Sequence, residues 1–408
     1  MPIWVQKFGG TSLSTKEARA HAIKHVKHAV ERNVQPVVVV SAMGRRGEPY
    51  ATDTLLDWIA SNGNRPTPRE TDLLLACGEI VSAVTFASLL NERGIPAAAL
   101  TGGQAGILTD GHHGDARILH VHPARILELM DEGKVAVVAG FQGQTASGEV
   151  TTLGRGGSDT TATALGAALG AEFVDIFTDV EGVLTADPRV VREAKRIQRI
   201  DYHEICNMAY NGAKVIHPRA VEIAMQANIP LRIRSTFAPV EDEGTLVSRE
   251  PFPDAGGRIR DRYVTGIAHA EHLCQIQIPI AGNSYELQLK VFKAMAAHGI
   301  SVDFINVNPS GIMYTVHDRD RPLAMRTLER LGCGARCVPD CSKVAVIGGG
   351  INGVPGIMSR VVEALTEENI PILQTADSHT TIWVLVAGKD AAAAVRALHR
   401  TFHLHESI

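Results

Sequence analysis

Apolar and polar residues alternate along the first 235 or so positions, where short apolar runs are separated by amphipathic or Ala-rich segments. The runs at 3–8 (IWVQKF) and 36–43 (PVVVVSAM) predict strands, and the second is apolar on both faces, as a buried parallel strand is. Four later runs predict further strands, namely IPAAALTG, KVAVVAGFQG, EFVDIFTD and NIPLRIRST. Because helical segments separate these strands, the pattern predicts an α/β sandwich with a mostly parallel sheet.

Two stretches carry the signature of a helix start. Ser14 and Glu17 form the S-x-x-E pattern of a capping box, which predicts a helix that runs through Arg32. Thr67 and Glu70 stand at the same spacing, and Pro68 follows Thr67 at the first helical position. We expect a long helix after Thr67.

Polar or glycine-rich residues follow the predicted strands, in the stretches KFGGTS, SAMGRR, TGGQAG, GFQGQT and TDVEGV. In open α/β sheets, ligands bind beyond the carboxyl ends of the strands. The stretch TTLGRGGSDTTA at 151–162 places three glycines around Arg155 before an Ala-rich helix, which lets a ligand approach the main chain at a helix N-terminus. Together these stretches predict a large polar ligand, or two ligands side by side, at one edge of the sheet.

The last third of the chain contains an internal repeat, after a polar, Pro- and Gly-rich stretch at 249–262 that predicts a linker. Residues 291–330 align with 361–400 at a constant offset of 70. Each copy predicts helix, strand, strand and helix after an initial strand, which fits two ferredoxin-like βαββαβ units. The G-x-G-x-x-G motif at 348–353 is therefore interpreted as the strand–helix turn of the second unit, because too few residues follow for a dinucleotide-binding fold.

Composition and charge narrow the classes of function. The 408 residues are enough for two or three domains, and 45% hydrophobic with 21% charged residues is ordinary for a globular protein. A net charge of −4 without a basic cluster argues against nucleic acid as a partner. The sequence shows no signal peptide and no apolar stretch of membrane-spanning length, which predicts a soluble intracellular protein without a membrane partner. Six cysteines without a CxxC pair and 17 histidines without ligand spacing predict reduced thiols and no metal site.

The sequence lacks a Walker P-loop, a nucleophile elbow and an HExxH helix, and what remains is a set of groups suited to phosphates and carboxylates. Lys7 precedes Gly9 and Gly10, which together place a cation and free backbone N–H groups at a strand end. Their clustering at one sheet edge favours function. Taken singly, these groups have ordinary interpretations: Gly9 and Gly10 as a tight turn, Ser158 and Asp159 as N-caps, Glu79 as a solvated helix residue, Lys214 as a surface lysine, Asp179 and Asp187 as turn residues.

Taken together, the motifs resemble the signature stretches of aspartokinases. KFGGTS, SAMG, CGE, LGRGGSDTTA, TDVEGVLTADPR and GAKVIHPRA stand in that family's order and spacing, and the tail resembles its pair of ACT regulatory domains. The resemblance implies an amino-acid kinase fold, a three-layer αβα sandwich, over 1–248. It further implies a linker at 249–262 and ACT units at 263–340 and 341–408, with the strand near 264–270 joining the second unit.

The resemblance also implies a reaction, in which ATP and L-aspartate give 4-phospho-L-aspartate and ADP with Mg²⁺. The attacking carboxylate, whose ordinary pKa is about 3.9, is already ionised at pH 7 and needs no general base. Catalysis then consists of placing two anions together and neutralising charge while the phosphoryl group moves.

The same resemblance implies a role for each candidate residue. Lys7 and Lys214 would neutralise the phosphoryl group, and Asp159 would organise the lysines or Mg²⁺ rather than act as a base. Arg155 would bind a substrate carboxylate and Glu79 the substrate ammonium. Hydroxyl contacts would come from Ser41, Thr52 and Ser158. The nucleotide-binding residues would be Lys7, Phe8, Gly9, Gly10, Thr178, Asp179, Leu184, Thr185, Ala186, Asp187, Pro188, Arg189 and Lys214.

The tail is the part of the chain for which the resemblance implies a regulatory function. The resemblance implies a cytoplasmic homodimer, paired through ACT units that bind an amino-acid end product and restrain the kinase. Asp303 and Asn306 are the expected effector contacts. The stretches ATDTLL, EICNMAYNGAKVIHPRAVEIAMQANIP and ADSHTTIWVL resemble the diaminopimelate-sensitive type more than the lysine-sensitive type. Two alternatives stay open: a kinase of the same fold that acts on glutamate or N-acetylglutamate, and a catalytically silent amino-acid sensor.

Overall fold

The computed structural model describes residues 1–61, 63, 66–249, 263–279, 285–351 and 353–406. The predicted linker at 249–262 falls, apart from its first residue, outside these ranges. The chain forms two compact units. The first consists of Met1–Val183, Arg196–Ala209 and Lys214–Ile259, and the second of Leu184–Lys195, Tyr210–Ala213 and Arg260–Ile408.

Strands and helices alternate over the first 247 residues. The strands are β1 (Ile3–Phe8), β2 (Gln35–Val40), β3 (Ala97–Leu100), β4 (Ile107–Thr109), β5 (Ile118–Val121), β6 (Val135–Ala139), β7 (Gln142–Gln144), β8 (Val150–Thr152), β9 (Phe173–Thr178), β10 (Arg199–Ile200), β11 (Leu231–Ser235) and β12 (Thr245–Val247). The helices are α1 (Gly10–Leu13), α2 (Lys16–Glu31), α3 (Thr52–Ser61), α4 (Pro68–Glu92), α5 (Ala124–Asp131), α6 (Gly157–Leu169), α7 (Tyr202–Tyr210) and α8 (Pro218–Ala227).

An eight-stranded sheet in the order β10-β12-β11-β9-β1-β2-β6-β3 forms the centre of the first unit. All its neighbouring strands are parallel except β11 and β12. Strand β2 is buried along almost its whole length, as its unbroken apolar run predicts. A smaller sheet in the order β5-β4-β7-β8 lies in the same unit. The prediction of an α/β sandwich with a mostly parallel sheet is confirmed.

The two predicted helix starts have different outcomes. Thr67 caps α4 as predicted, because its side chain accepts a hydrogen bond from the backbone N–H of Glu70. The prediction of a capping box that begins at Ser14 is wrong. The N-cap of α2 is Thr15, whose Oγ1 accepts from the N–H of Ala18 at 3.1 Å. Ser14 ends the short helix α1 in a helical conformation, so its backbone is not extended as an N-cap requires.

Helix α4 corrects the prediction that no apolar stretch reaches membrane-spanning length. Judged by length and composition alone, α4 is the helix among the described residues that could cross a membrane. Its buried positions recur every three or four residues, however, and include Asp72, Glu79 and Phe86. Phe86 packs with Val38 of the central sheet in one buried cluster. A helix that buries one face against a sheet in this way is a core helix of the first unit.

A buried ion cluster joins two neighbouring strands of the large sheet. Asp175 on β9 has no exposed surface and accepts from Nε and Nη2 of Arg232 on β11 at 2.6 and 3.0 Å. Arg234 lies 3.3 Å from the same carboxylate. Burial raises the pKa of Asp175, but the two guanidinium groups outweigh this effect and hold the pKa below its usual value. The carboxylate is therefore ionised and compensates two buried cations.

The tail forms a second sheet that shows the predicted repeat. Its strands are β13 (Gly266–Pro279), β14 (Asp303–Asn308), β15 (Gly311–His317), β16 (Arg336–Ile347), β17 (Gln374–Asp377) and β18 (Thr381–Ala387). Its helices are α9 (Tyr285–Ala297), α10 (Arg321–Arg330), α11 (Ile357–Glu367) and α12 (Ala391–Thr401), with 3₁₀ turns at Asp318–Asp320 and Gly388–Asp390. The second copy of β15 and of the 3₁₀ turn begins 70 residues after the first, as the sequence alignment predicts.

Two long strands are shared between the two copies of the repeat. The sheet order is β14-β15-β13-β16-β18-β17, and its neighbouring strands are antiparallel. Ile276 of β13 lies in the buried cluster of the first copy, whereas Ile267 at the other end packs with Val361 and Leu398 of the second. The turn after β16 follows an antiparallel strand and leads into α11, so the interpretation of 348–353 as a turn of the second copy is confirmed.

Two segments that precede residue 248 belong to the second unit, namely Leu184–Lys195 and Tyr210–Ala213. Ala186 and Val191 pack in the same buried cluster as Leu398. Thr185 Oγ1 lies 2.9 Å from Nε2 of His399, and Trp383 donates from Nε1 to Asn211. The two compact units therefore do not divide the chain at one position. The domain boundary at 248 stays a prediction.

We expect Asp175→Asn to destabilise the first unit by about 3–5 kcal/mol, because it leaves two buried guanidinium groups without a counter-charge. Denaturation in urea at pH 7 measures this change. The control is Asp57→Asn, which removes an exposed ion pair with Arg46 and should change the free energy of unfolding by less than about 0.5 kcal/mol. Equal effects of the two substitutions would contradict the role of the cluster.

Candidate active site

A cavity of about 790 Å³ opens at the carboxyl ends of β1 and β2. The strand end of β1 contributes Lys7, the residue after β2 is Ser41, and the turn before α6 contributes Arg155. Eight residues predicted for the site line this one cavity: Lys7, Gly10, Ser41, Thr52, Glu79, Arg155, Ser158 and Asp159. The structure thus has a cavity in the first unit at the sheet edge where the sequence predicts a ligand.

An ion pair joins β1 to α6 inside the cavity. Nζ of Lys7 lies 2.7 Å from Oδ1 of Asp159, and 12% of each side chain is exposed. The other carboxylate oxygen accepts from the backbone N–H of His217 at 3.3 Å. Asp159 also lies in the first turn of α6, where the helix dipole favours a negative charge. The ammonium of Lys7 is therefore held in a defined position.

Glycine is required in the turn that precedes α6. Gly154 and Gly156 have φ angles of 72° and 67°, and a Cβ on Gly156 would lie 2.1 Å from the side chain of His217. Gly156 is the N-cap of α6, so the interpretation of Ser158 and Asp159 as N-caps is wrong. Both residues instead lie inside the first turn, where backbone N–H groups lack helical acceptors.

Arg155 differs from the other charged groups of the cavity because it is exposed. Within the part of the chain that the structure describes, no carboxylate lies within ion-pair distance of its guanidinium. An unpaired guanidinium at a cavity mouth is suited to bidentate binding of a carboxylate ligand.

Glu79 is buried, which corrects its interpretation as a solvated helix residue. Only 2% of the residue is exposed, and Oε1 accepts from the backbone N–H of Ala42 at 3.0 Å. No hydrogen-bond partner reaches Oε2 from the described residues. Burial raises the pKa of Glu79 to about 8, although the Ala42 hydrogen bond acts in the opposite direction. A carboxyl group with a free oxygen inside a cavity is suited to binding a cation.

Asp72 is a residue of the cavity that the sequence analysis missed. It lies on α4 seven residues before Glu79 and is fully buried. Residues seven apart share one face of a helix, so the spacing of Asp72 and Glu79 was the available signal. Its partner His113 also went unassigned, and the two side chains lie 2.9 Å apart.

Several predicted nucleotide-binding residues lie outside the lining of the cavity. Phe8 is fully buried and stacks on Phe177 at 4.6 Å between ring centroids, so its backbone alone is available to a ligand. Asp179 is exposed and pairs with Arg45 at 2.8 Å, and Thr178 Oγ1 donates to the same carboxylate. Lys214 is exposed on the segment before α8.

The segment 184–189 belongs to the second unit. Thr185 and Ala186 are buried there, whereas Pro188 and Arg189 are exposed. Arg189 donates to both oxygens of Asp187 and thereby lowers the pKa of that carboxyl group. The predicted role of Leu184 and these residues in nucleotide binding stays a prediction.

The predicted effector residues lie on an edge strand of the second sheet. Asp303 and Asn306 are exposed on β14. The carboxylate of Asp303 pairs with the ammonium of Lys343, and Asn306 accepts from the side chain of Asn308 at 3.1 Å. Both predicted contacts are thus engaged with residues of the tail.

One group of described side chains has the spacing of metal ligands, namely His403, His405 and Glu406. All three are exposed at the end of the chain. The positions of the histidines in the sequence did not predict this group. Cys333, Cys337 and Cys341 are free thiols.

Comparison with known proteins identifies the class. Residues 2–235 match the model of the amino acid kinase family, and residues 336–400 match that of an ACT domain. The fold and the cavity thus define an amino acid kinase with an appended regulatory tail. Aspartokinase 1 of Bacillus subtilis is 53% identical over 404 residues, which cover 99% of this chain and all of that protein. The aspartokinase of Geobacillus stearothermophilus is 40% identical over 412 residues, which cover all of this chain and 98% of that protein.

A solved structure gives the same result. Aspartokinase III of Escherichia coli, in complex with aspartate and ADP, superposes with a TM-score of 0.79 at 28% identity, covering 98% of this chain and 99% of that one. The chain belongs to the aspartokinase family.

The raised pKa of Glu79 predicts a pH-dependent stability. Stability that depends on the protonated Glu79 is fully present below the ordinary value of 4.5 and is lost as the pH rises through about 8. Glu79→Gln removes this loss, so its melting temperature should exceed that of the unsubstituted protein by an amount that grows up to about pH 8. Thermal melts without ligands between pH 5 and 9 measure the difference. The exposed Glu31→Gln is the control, and a difference for Glu79→Gln that is independent of pH would contradict the assignment.

Proposed function

We propose that the cavity transfers the γ-phosphoryl group of ATP to the side-chain carboxylate of L-aspartate, giving 4-phospho-L-aspartate and ADP. The observation that carries this proposal is the presence, in one cavity, of a fixed ammonium at Lys7, an unpaired guanidinium at Arg155 and a half-free carboxyl group at Glu79. These charges complement an amino acid with a second carboxylate, together with a phosphate.

Binding of aspartate uses its opposite charges. Oε2 of Glu79 accepts the substrate ammonium, and the exchange of a buried proton for a cation offsets the cost of ionising Glu79. Arg155 binds a substrate carboxylate through two parallel hydrogen bonds. Hydroxyl groups that line the cavity supply further contacts: Ser41, Thr52 and Ser158.

Phosphoryl transfer needs neutralisation of charge rather than a base. The attacking carboxylate is ionised at pH 7, so no proton leaves it. Lys7 lies where the phosphoryl group arrives, and Asp159 holds its ammonium there before the substrates bind. Gly9 and Gly10 follow the end of β1 and are assigned backbone N–H contacts with the phosphates, and Lys214 provides a second cation, both by analogy with the family. A Cβ on Gly10 would lie 2.7 Å from the carbonyl oxygen of Ala42, so the chain has no room for a side chain there.

The nucleotide is bound by residues that follow β9. We assign it the neighbourhood of Thr178 and Asp179, together with Leu184, Thr185, Ala186, Asp187, Pro188 and Arg189. Asp179 and Arg189 are both exposed, and each belongs to an ion pair, with Arg45 and with Asp187 respectively. This assignment rests on the family's motif rather than on geometry.

Mg²⁺ fits this site as an ion that the nucleotide carries. Three buried carboxyl groups line the cavity, but both oxygens of Asp72 accept from protein donors, Asp159 is paired with Lys7, and Glu79 has a pKa of about 8. Phosphate oxygens and water, the usual partners of Mg²⁺, would then complete its coordination and reduce the charge of the phosphates. Asp159 acts on Lys7 rather than on the metal.

Regulation is assigned to the tail. The ACT pair binds an amino-acid end product at the β14 edge, near Asp303 and Asn306, and we assign diaminopimelate as the effector by motif resemblance. Edge strands offer unpaired backbone groups, which supports a homodimer through the ACT units. The enzyme is assigned to the cytoplasm by its resemblance to the family.

The reaction class is tested by trapping the acyl phosphate with hydroxylamine. We expect ATP-dependent formation of aspartate hydroxamate, and little product from glutamate or N-acetylglutamate. A larger yield from glutamate or N-acetylglutamate would favour the related kinase. Absence of hydroxamate with every acid would favour the catalytically silent sensor, and either outcome would contradict the proposal.

Lys7→Ala should lower kcat by about 10³-fold, because it removes a preorganised cation from the transferring phosphoryl group. The melting temperature should stay within a few degrees of the original. Lys16→Ala, an exposed lysine at the start of α2, is the matched control and should leave kcat unchanged. Turnover of Lys7→Ala within about threefold of the unsubstituted enzyme would overturn the assigned mechanism.

A further inference from the structure

Both carboxylate oxygens of Asp72 accept hydrogen bonds from protein donors, which leaves neither oxygen free for a substrate. Its Oδ1 accepts from the N–H of Gly114 at 3.0 Å and from Oγ1 of Thr152 at 2.5 Å. Its Oδ2 accepts from the N–H groups of Gly114 and Thr152, both at 3.0 Å, and from Nδ1 of His113 at 2.9 Å. The residue is fully buried. The carboxylate is saturated by protein donors.

The contrast with Glu79 separates two functions on one helix. Both carboxyl groups lie on the buried face of α4 and line the same cavity. Oε2 of Glu79 has no partner among the described residues, which leaves it available to a ligand. Asp72 has no oxygen to offer and acts on the protein instead.

The donors to Asp72 belong to the two segments that carry the Arg155 turn. His113 and Gly114 lie in the 110–117 loop, and Thr152 is the last residue of β8, three positions before Arg155. The two segments also pair directly, since the N–H of Ala116 donates to the carbonyl oxygen of Thr152 at 2.9 Å. Displacing either segment would therefore displace the turn.

A second clamp holds the same place from another helix. Arg219 on α8 donates to the carbonyl oxygen of Leu153 at 2.9 Å and to that of Ala116 at 2.8 Å. Glycine is required at Gly154 because its φ of 72° lies in the left-handed region that residues with a Cβ rarely adopt. The turn is thus fixed on both flanks, while the guanidinium of Arg155 stays exposed and unpaired within the described chain.

We propose that Asp72 is a positioning residue that sets the location of Arg155 relative to Glu79. Seven residues of α-helix separate Asp72 from Glu79 by about 10 Å, and a helix holds such a distance rigidly. One helix therefore fixes both the group that binds the substrate ammonium and the anchor of the group that binds its carboxylate. This inference rests on the proposed function, and it assigns recognition of the amino acid, rather than of ATP, to the Asp72 cluster.

The test compares Michaelis constants in the full-length enzyme. Asp72→Asn places an amide N–H₂ against donors, so we expect the KM for aspartate to rise about tenfold or more, while the KM for ATP changes less than about twofold. Arg155→Ala should show the same split, because both changes act on one contact. His113→Ala, which removes a single donor, should raise the KM for aspartate by a smaller factor.

The neighbouring histidine provides the control. The side chain of His112 is 85% exposed and that of His113 20% exposed, so His112→Ala changes the same loop without touching Asp72. It should leave both KM values unchanged. If Asp72→Asn fails to fold, the pair of histidine variants still decides the matter.

The outcomes separate this inference from the proposed function. A purely structural role for Asp72 would lower the melting temperature and the active fraction but leave the KM for aspartate unchanged, which would overturn the inference while the enzyme remains an aspartate kinase. Equal changes in both KM values, or equal effects of the two histidine variants, would also overturn it. An unsubstituted protein that forms no aspartate hydroxamate would overturn both proposals together.

Discussion

The ion pair of Lys7 and Asp159 is the contact on which the site depends. It joins the end of a central strand to the first turn of a helix, and it places one ammonium group at 2.7 Å from its counter-charge in a cavity of about 790 Å³. A lysine side chain is long and loses much conformational freedom when it is held. Because Asp159 holds it before any ligand arrives, less of that cost falls on the reaction itself.

Around this pair, three ionisable groups differ in what surrounds them. Among the residues that the structure describes, Glu79 is buried with one free oxygen and a raised pKa, Arg155 is exposed without a counter-charge, and Asp72 is saturated with donors. Burial, exposure and hydrogen bonding thus give similar residue types different tasks. Two carboxyl groups on one face of α4 differ in role because one is compensated and the other is not.

Periodicity and spacing in the sequence were enough to predict much of the fold. The apolar run of β2 and the offset of 70 residues in the tail reflect burial and repetition, which leave a direct trace in residue order. Helix starts were less certain, because Thr15 and Ser14 are both good caps and the short helix α1 decides between them. The burial of α4 depends on the sheet beside it, which no local pattern shows.

Residues of the candidate site that belong to sequence motifs were predicted. Residues that act through contacts between distant positions of the sequence were not. Lys7, Arg155 and Asp159 stand in recognisable stretches, whereas Asp72 meets its partners His113 and Thr152 across 41 and 80 positions. The assignment of 185–191 to the second unit likewise depends on packing with Leu398. Resemblance to a family marked the residues of the motifs that line the cavity, but not Asp72 and its partners.

The most direct measurement is a crystal structure of the enzyme with aspartate and a non-hydrolysable ATP analogue. The account predicts that the substrate ammonium lies against Oε2 of Glu79, that Arg155 binds one of its carboxylates, and that Lys7 contacts the terminal phosphate. Electron density for the amino acid away from Glu79, or for the terminal phosphate away from Lys7, would contradict it.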